Sequence, residues 1–192
     1  MKSIKIGLIR EGKIPPDKRV PFTPIQCEEI EQRFPHVKII CQPSEVRCFE
    51  EAEYQKAGIA IGDVSDCDML MGIKEVPIKN LIGGKTYLFF SHTMKKQPYN
   101  KGLLREVLRK KIRLIDYEAL KDTQGNRLVA FGRFAGIVGA YNGLWVYGNR
   151  FKKYSLRRAF ECFDINDLKL ELRKVKLRIV TKDIHKIGTP TI

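Results

Sequence analysis

The first 117 residues alternate between two kinds of segment, and that alternation restricts the fold more than any single motif. "KSIKIGLI" (2–9), "VKIICQ" (37–42), "CDMLMGI" (67–73), "KTYLFFS" (85–91) and "IRLIDY" (112–117) are short apolar or β-branched runs suited to strands. Between them lie segments with helix signals. Thr23 caps a helix that has Pro24 at its first position and runs to Phe34, with Glu28 and Glu29 near its positive end. "FEEAEYQKAG" (49–58) is a short acidic helix closed by Gly58. "YNKGLLREVLRKK" (99–111) places Leu103, Leu104, Val107 and Leu108 on one stripe. Strands alternating with helices predict an α/β domain with a mostly parallel sheet and helices on both faces.

The rest of the chain reads differently. "KIPPDKRVPFTP" (13–24) is a rigid loop with four prolines, and "TQGN" (123–126) is a turn. "FAGIVGAYNGLWVYG" (134–148) is apolar and reads as a helix, with Gly136, Gly139, Ala140 and Gly143 letting neighbours approach closely. "RFKKYSLRRAF" (150–160) is basic. "DINDLKLELRKVK" (164–176) predicts another helix, and "LRIV" (177–180) a new strand. The organisation expected is a domain over 1–133, a connecting helix over 134–160, and the partial start of a second domain over 161–192.

The net charge of +14 is lopsided. Residues 1–100 hold 15 Lys and Arg against 13 Asp and Glu, while residues 101–192 hold 21 against 9. A half carrying +12 points to an anionic partner: nucleic acid, a phosphate-bearing cofactor or a carboxylate substrate. Cys27, Cys41, Cys48, Cys67 and Cys162 include no CxxC pair, and with only three histidines a zinc cage is not expected. Free thiols in a reducing compartment fit better. No apolar stretch is long enough to cross a bilayer, and the first residues lack the apolar core of a secretory signal, so a cytoplasmic location is expected.

In parallel sheets ligands bind beyond the carboxyl ends of the strands. Lys74 follows the run ending at Ile73, His92 follows Ser91, and Glu118 follows Tyr117, so all three belong to one edge. A lysine can polarise a carbonyl or hold a carboxylate, and a histidine can carry protons near neutral pH. Spacing alone leaves open a solvated lysine, a histidine with ordinary partners, and a Glu118 paired with Arg113 or Arg127.

Four segments carry a resemblance. "GLIREGKIPPDKRVPFTP", "GIKEVP", "SHTMKKQ" and "LVAFGRFAGIVGAYNGL" together resemble the N-terminal domain shared by alanine dehydrogenase, lysine-forming saccharopine dehydrogenase and the transhydrogenase alpha chain. Their order and separation match across roughly residues 3–150. "TMKKQ" after the histidine, "LIDYE" and "AFGRFAG" look closer to the saccharopine type, although Arg133 stands where that type usually carries an aromatic residue. The resemblance implies a Rossmann-like three-layer domain and NAD-dependent oxidative deamination at a C–N bond beside a carboxylate. It implies that Lys74 and His92 handle protons and activate substrate, and that Arg19 holds a substrate carboxylate with Lys13 and Glu11 nearby. Lys95, Glu118 and Arg127 would line the site and adjust its charge.

In such enzymes NAD binds a second domain that opens with a strand and a glycine-rich turn. After "LRIV" only Gly188 is available, so no cofactor-binding residue is expected in this chain, which reads as an N-terminal fragment without turnover of its own. The expected partner is a small anionic amino acid or keto acid, with a homo-oligomer possible through residues 134–148 and Trp145. The competing readings are a non-catalytic scaffold domain and a nucleic-acid binder using the basic half. Against the latter, no helix-turn-helix, zinc-finger or RNA-recognition signature is present.

Overall fold

A computed structural model describes residues 3–179. Two compact units divide between Val129 and Ala130. The first is built on six strands: β1 (Ile4–Leu8), β2 (Val37–Cys41), β3 (Ala60–Ile61), β4 (Met69–Met71), β5 (Thr86–Phe89) and β6 (Arg113–Asp116). Their order in the sheet is β3-β2-β1-β4-β5-β6, and every pairing is parallel. The chain starts at the middle, winds outward through β2 and β3, then returns to the other side of β1 for β4 to β6. That reversal between β1 and β4 is the point at which open α/β sheets form a crevice beyond their strand ends.

Alternation along each strand divides the side chains between two cores. Leu8, Ile39, Cys41 and Met71 face one side with Cys27 and Tyr54. Those two residues come from α1 (Pro24–Arg33) and α2 (Glu51–Lys56). Leu70, Tyr87 and Phe89 face the other side, with Leu103 and Val107 of α3 (Lys101–Arg109). The sheet thus has helices on both faces. Burial of this kind contributes about 25 cal/mol per Å² of apolar surface and is what makes the strands near-continuous apolar runs.

Local signals set the boundaries. Thr23 Oγ1 accepts from the Gln26 N–H, and the Gln26 side chain accepts from the Thr23 N–H, closing a capping box before Pro24. The first turn of α1 holds no acidic residue; Glu28 instead accepts from the Gln32 side chain one turn on. Gly58 follows α2 in left-handed backbone (φ 77°), which suits a residue without Cβ. The buried cysteines Cys27, Cys41 and Cys67 behave as core residues: burial pushes the Cys27 thiol up to about 12 and the other two upward.

The second unit holds α4 (Gly132–Arg150) and α5 (Ile165–Ile179). Its core gathers Tyr141, Tyr154, Leu156, Leu168 and Val175, with Trp145 packed against it. The Tyr141 hydroxyl donates to the Arg157 carbonyl (2.7 Å) and that of Tyr154 to the Leu144 carbonyl (3.0 Å). Gly148 is where close packing occurs, since a Cβ there would meet the Tyr154 ring at 2.5 Å. Gly136, Gly139 and Gly143, expected to admit close neighbours, have no atom of this unit's packing within 4 Å of a Cβ position. The basic segment spends part of its charge internally. Arg157 pairs with Asp167 (2.5 Å) and Glu171 (3.3 Å), and Arg158 lies over the Trp145 ring at 4.8 Å.

One expectation is corrected. Residues 177–179, read as the start of a strand, are the last turn of α5. Asp164 Oδ1 accepts from the Asn166 and Asp167 N–H groups, and Leu168, Leu172 and Val175 recur at helical spacing against the core. A helix already under way continues through the short Leu177–Ile179 stretch. The remainder of the expected second-domain start, 180–192, lies outside the described residues. Among the described residues no helix is long and apolar enough to cross a membrane.

Gly7, in β1, packs closely against the sheet's second face. A Cβ there would lie 2.7 Å from Val64 Cβ and 2.8 Å from Leu70 Cδ2. Gly7→Val is expected to lower unfolding stability by about 1–3 kcal/mol. Urea unfolding checks this, and an unchanged midpoint would contradict the packing described.

Candidate functional site

Parallel pairing brings the ends of β1, β4, β5 and β6 to one edge, and a set of charged residues of the first unit lies on the loops there. The loop after β1 carries Glu11, Lys13, Asp17 and Arg19. Lys74 and Glu75 follow β4. His92 and Lys95 follow β5, and Glu118 follows β6.

His92 is the hub. Its backbone is left-handed (φ 54°, ψ 12°), a conformation that costs a non-glycine residue about 1–2 kcal/mol. The ring stacks on Phe90 at 6.2 Å. Nδ1 lies 3.4 Å from Glu118 Oε2 and 3.2 Å from Lys95 Nζ. Nε2 lies 4.0 Å from Glu75 Oε1, a buried oxygen with no hydrogen-bond partner among the described residues. A proton on Nδ1 suits Glu118, and a bare Nδ1 suits the Lys95 ammonium. Both tautomers therefore find a partner without turning the ring.

The cluster extends on both sides of the imidazole. Glu118 Oε1 accepts from Lys95 Nζ (3.0 Å) and lies 3.6 Å from Arg127 Nη2. Glu75 Oε2 pairs with Lys13 Nζ at 2.7 Å. Burial pushes the Glu75 carboxyl up, but Lys13, its own N–H and His92 outweigh that, and it ends below its ordinary value of 4.5. Glu118 behaves alike: burial raises it, and Lys95 and His92 bring it below 4.5.

Lys74 and Arg19 occupy an adjoining cluster. Arg19 grips Asp17 with two parallel bonds, Nε to Oδ1 (2.8 Å) and Nη2 to Oδ2 (2.5 Å). Arg19 first and the nearby Lys74 ammonium as well hold Asp17 below the usual carboxylate range. Glu11 joins the clusters through the backbone, accepting from the Ile73 N–H (2.6 Å) and the Lys74 N–H (2.9 Å). Burial pushes Glu11 up, and those two N–H groups offset the rise only in part. A cleft beside this cluster is lined by Glu11, Asp17, Arg19, Ser44, Arg47 and Tyr54. Among the described residues no carboxylate lies within ion-pair distance of the Lys74 ammonium.

The structure thus gathers His92, Lys95, Glu118 and Arg127 into one network, links Lys13 to it through Glu75, and sets Lys74 and Arg19 beside Glu11 and Asp17. Sequence reasoning missed Glu75 and Asp17. Glu75 had a signal, since it follows Lys74 directly beyond the end of β4. Arg113, weighed as a partner of Glu118, lies instead at the opposite end of β6. No glycine-rich turn opens from a strand directly into an α-helix among the described residues. The connection from β1 to α1 contains only Gly12, and that from β2 to α2 contains no glycine. These residues do not fit the pyrophosphate of a dinucleotide. No group of His, Cys, Asp and Glu among them could hold a metal ion.

Glu75 and Glu118 couple the site to pH. Both are lowered in the fold, so their stabilisation is complete above pH 4.5 and lost as pH falls through their lowered values. Glu11 is raised and contributes with the opposite sign. The variant E75Q/E118Q should therefore lose less stability than the native chain between about pH 7 and about pH 3 in urea unfolding. Equal losses would show that the two carboxylates are not held by their cations.

A family model described as the alanine dehydrogenase/PNT N-terminal domain matches residues 7–138. The mitochondrial alpha-aminoadipic semialdehyde synthase of Bos taurus is 42% identical over 146 residues, covering 76% of this chain and 16% of that protein. Saccharopine dehydrogenase (NAD(+), L-lysine-forming) of Candida glabrata is 29% identical over 154 residues, covering 76% of this chain and 41% of that one. The chain therefore spans a small part of the first relatives and under half of the second. Among solved structures, the Sinorhizobium meliloti transhydrogenase superposes with a TM-score of 0.57 at 12% identity, covering 74% of this chain and 44% of that one. An L-alanine dehydrogenase superposes with a TM-score of 0.55 at 16% identity, covering 77% and 41%. The chain belongs to the alanine dehydrogenase/PNT N-terminal domain family.

Proposed function

We propose that this chain is the substrate-side part of an NAD-dependent amino-acid dehydrogenase of the saccharopine type, acting at a C–N bond beside a carboxylate. The observation that carries the proposal is His92, placed between Glu118 and the unpartnered oxygen of Glu75 at the same sheet edge as Lys74 and Arg19. The sequence relatives support the substrate class, since those named above are an aminoadipic semialdehyde synthase and a saccharopine dehydrogenase. The hydride acceptor would be NAD, held by residues other than those described.

The hydrolytic half of the reaction is what these side chains can serve. Water adds to an imine carbon, giving up one proton, and the departing amine takes one up. His92 can accept and return a proton in place because either tautomer is supported. Lys74, an ammonium without a carboxylate partner among the described residues, can polarise the imine or the keto-acid carbonyl. Arg19, already fixed by Asp17, presents its guanidinium to the cleft for a substrate carboxylate. Around them Lys13, Lys74, Lys95, Arg19 and Arg127 outnumber Glu11, Asp17, Glu75 and Glu118 by one, which favours an anionic ligand.

Calorimetric titration with saccharopine, L-lysine and L-alanine tests the reading on the chain itself. Saccharopine is expected to bind, and Arg19→Ala to weaken it about tenfold or more, the effect of losing one charge-assisted contact. Equal binding by the native chain and the variant would remove Arg19 from the site. Tighter binding of L-alanine than of saccharopine would reassign the substrate.

A further inference from the structure

His92 and Glu118 come from different loops, and one buried carboxylate reaches both. Phe89 and Asp116, the last residues of β5 and β6, are register partners. Beyond them the two chains part. Asp116 Oδ2 accepts from the Ser91 hydroxyl (2.5 Å), and Asp116 Oδ1 accepts from the Glu118 N–H (2.8 Å). Ser91 is fully buried and Asp116 nearly so. With the Ser91 proton committed to Asp116, its oxygen accepts from the Thr93 N–H (3.2 Å) and the Thr93 hydroxyl (2.8 Å). Ser91 thereby uses its one donor and both acceptor sites, and it binds the residue after His92 while Asp116 binds it. The left-handed turn at His92 is enclosed between these contacts.

We propose that Asp116 is a positioning residue that holds His92 and Glu118 at contact distance, through Ser91 on one side and the Glu118 backbone on the other. A low-dielectric interior strengthens such a network and makes a half-satisfied one costly, so the geometry is held in one state. Its hydrogen bonds go to Ser91 and the Glu118 N–H and not to the imidazole, so Asp116 acts through its two neighbours. The inference rests on reading His92 as the proton-handling group, but its test needs no substrate and stands whether or not that reading does.

The test is the proton NMR titration of the histidine signals, assigned by substitution, in the native chain and in D116N, E118Q and D116N/E118Q. The charged groups facing the imidazole are Glu118 and Lys95 at Nδ1 and Glu75 at Nε2. A nearby carboxylate favours the imidazolium, so loss of the Glu118 contact lowers the titration midpoint of His92. D116N is expected to lower it, with the His36 midpoint unmoved. The double variant is expected to go no lower than E118Q alone, because both changes remove the same contact. A folded D116N with the native His92 midpoint would overturn the proposal, and so would additive shifts in the double variant. Should D116N not fold by circular dichroism, Ser91→Ala breaks the same link while leaving Asp116 its Glu118 contact. A lowered His92 midpoint there supports the proposal, and an unmoved one overturns it.

Discussion

Parallel strand pairing is the constraint on which the rest of this molecule depends. Six strands running the same way deliver six loops to one edge, and every return crossing must pass over a face. The crossings bury both faces, which favours apolar residues in the strands, and the loops beyond the strand ends can carry charged groups together. Chemistry from segments more than a hundred residues apart, Glu11 and Glu118, therefore meets within one region. The winding reverses between β1 and β4, so the loop carrying Arg19 leaves one side of that reversal and the loops carrying His92 and Glu118 leave the other.

Electrostatics at that edge divides the carboxylates into two kinds. Glu75, Glu118 and Asp17 each have cations at hand and sit below their ordinary values. Glu11 is raised, because its two contacts are neutral backbone N–H groups set against substantial burial. It shapes the backbone beneath Lys74, whereas the other three compensate cations that an anionic ligand would also seek. A ligand carboxylate entering the cleft thus competes with internal partners, and binding there depends on which cations the protein's own acids leave available.

Much of this was legible in the chain. The β-branched run at residues 37–42 and the apolar run at 67–73 marked strands because both faces of a parallel sheet are buried. Lys74, His92 and Glu118 could be placed on one edge because a parallel strand fixes the direction of the loop after it. Three things were not legible. The strand at Ala60–Ile61 is two residues long, too short for any period. Glu75 and Asp17 depend on where side chains turn within loops, which spacing does not determine. Residues 177–179, Leu-Arg-Ile, form an apolar-flanked stretch that reads as a strand in isolation, whereas the helix nucleated at Asp164 extends through them. Propensity in a three-residue window yields to a helix whose cost of initiation is already met upstream.

Mapping backbone amide shifts of the labelled chain during titration with saccharopine would locate the binding site. If an anionic substrate binds at the carboxyl edge of the sheet, the perturbed amides cluster at residues 11–20, 73–75, 91–95 and 116–118. Perturbations confined to the basic stretch at 150–158, with the sheet edge silent, would contradict this placement.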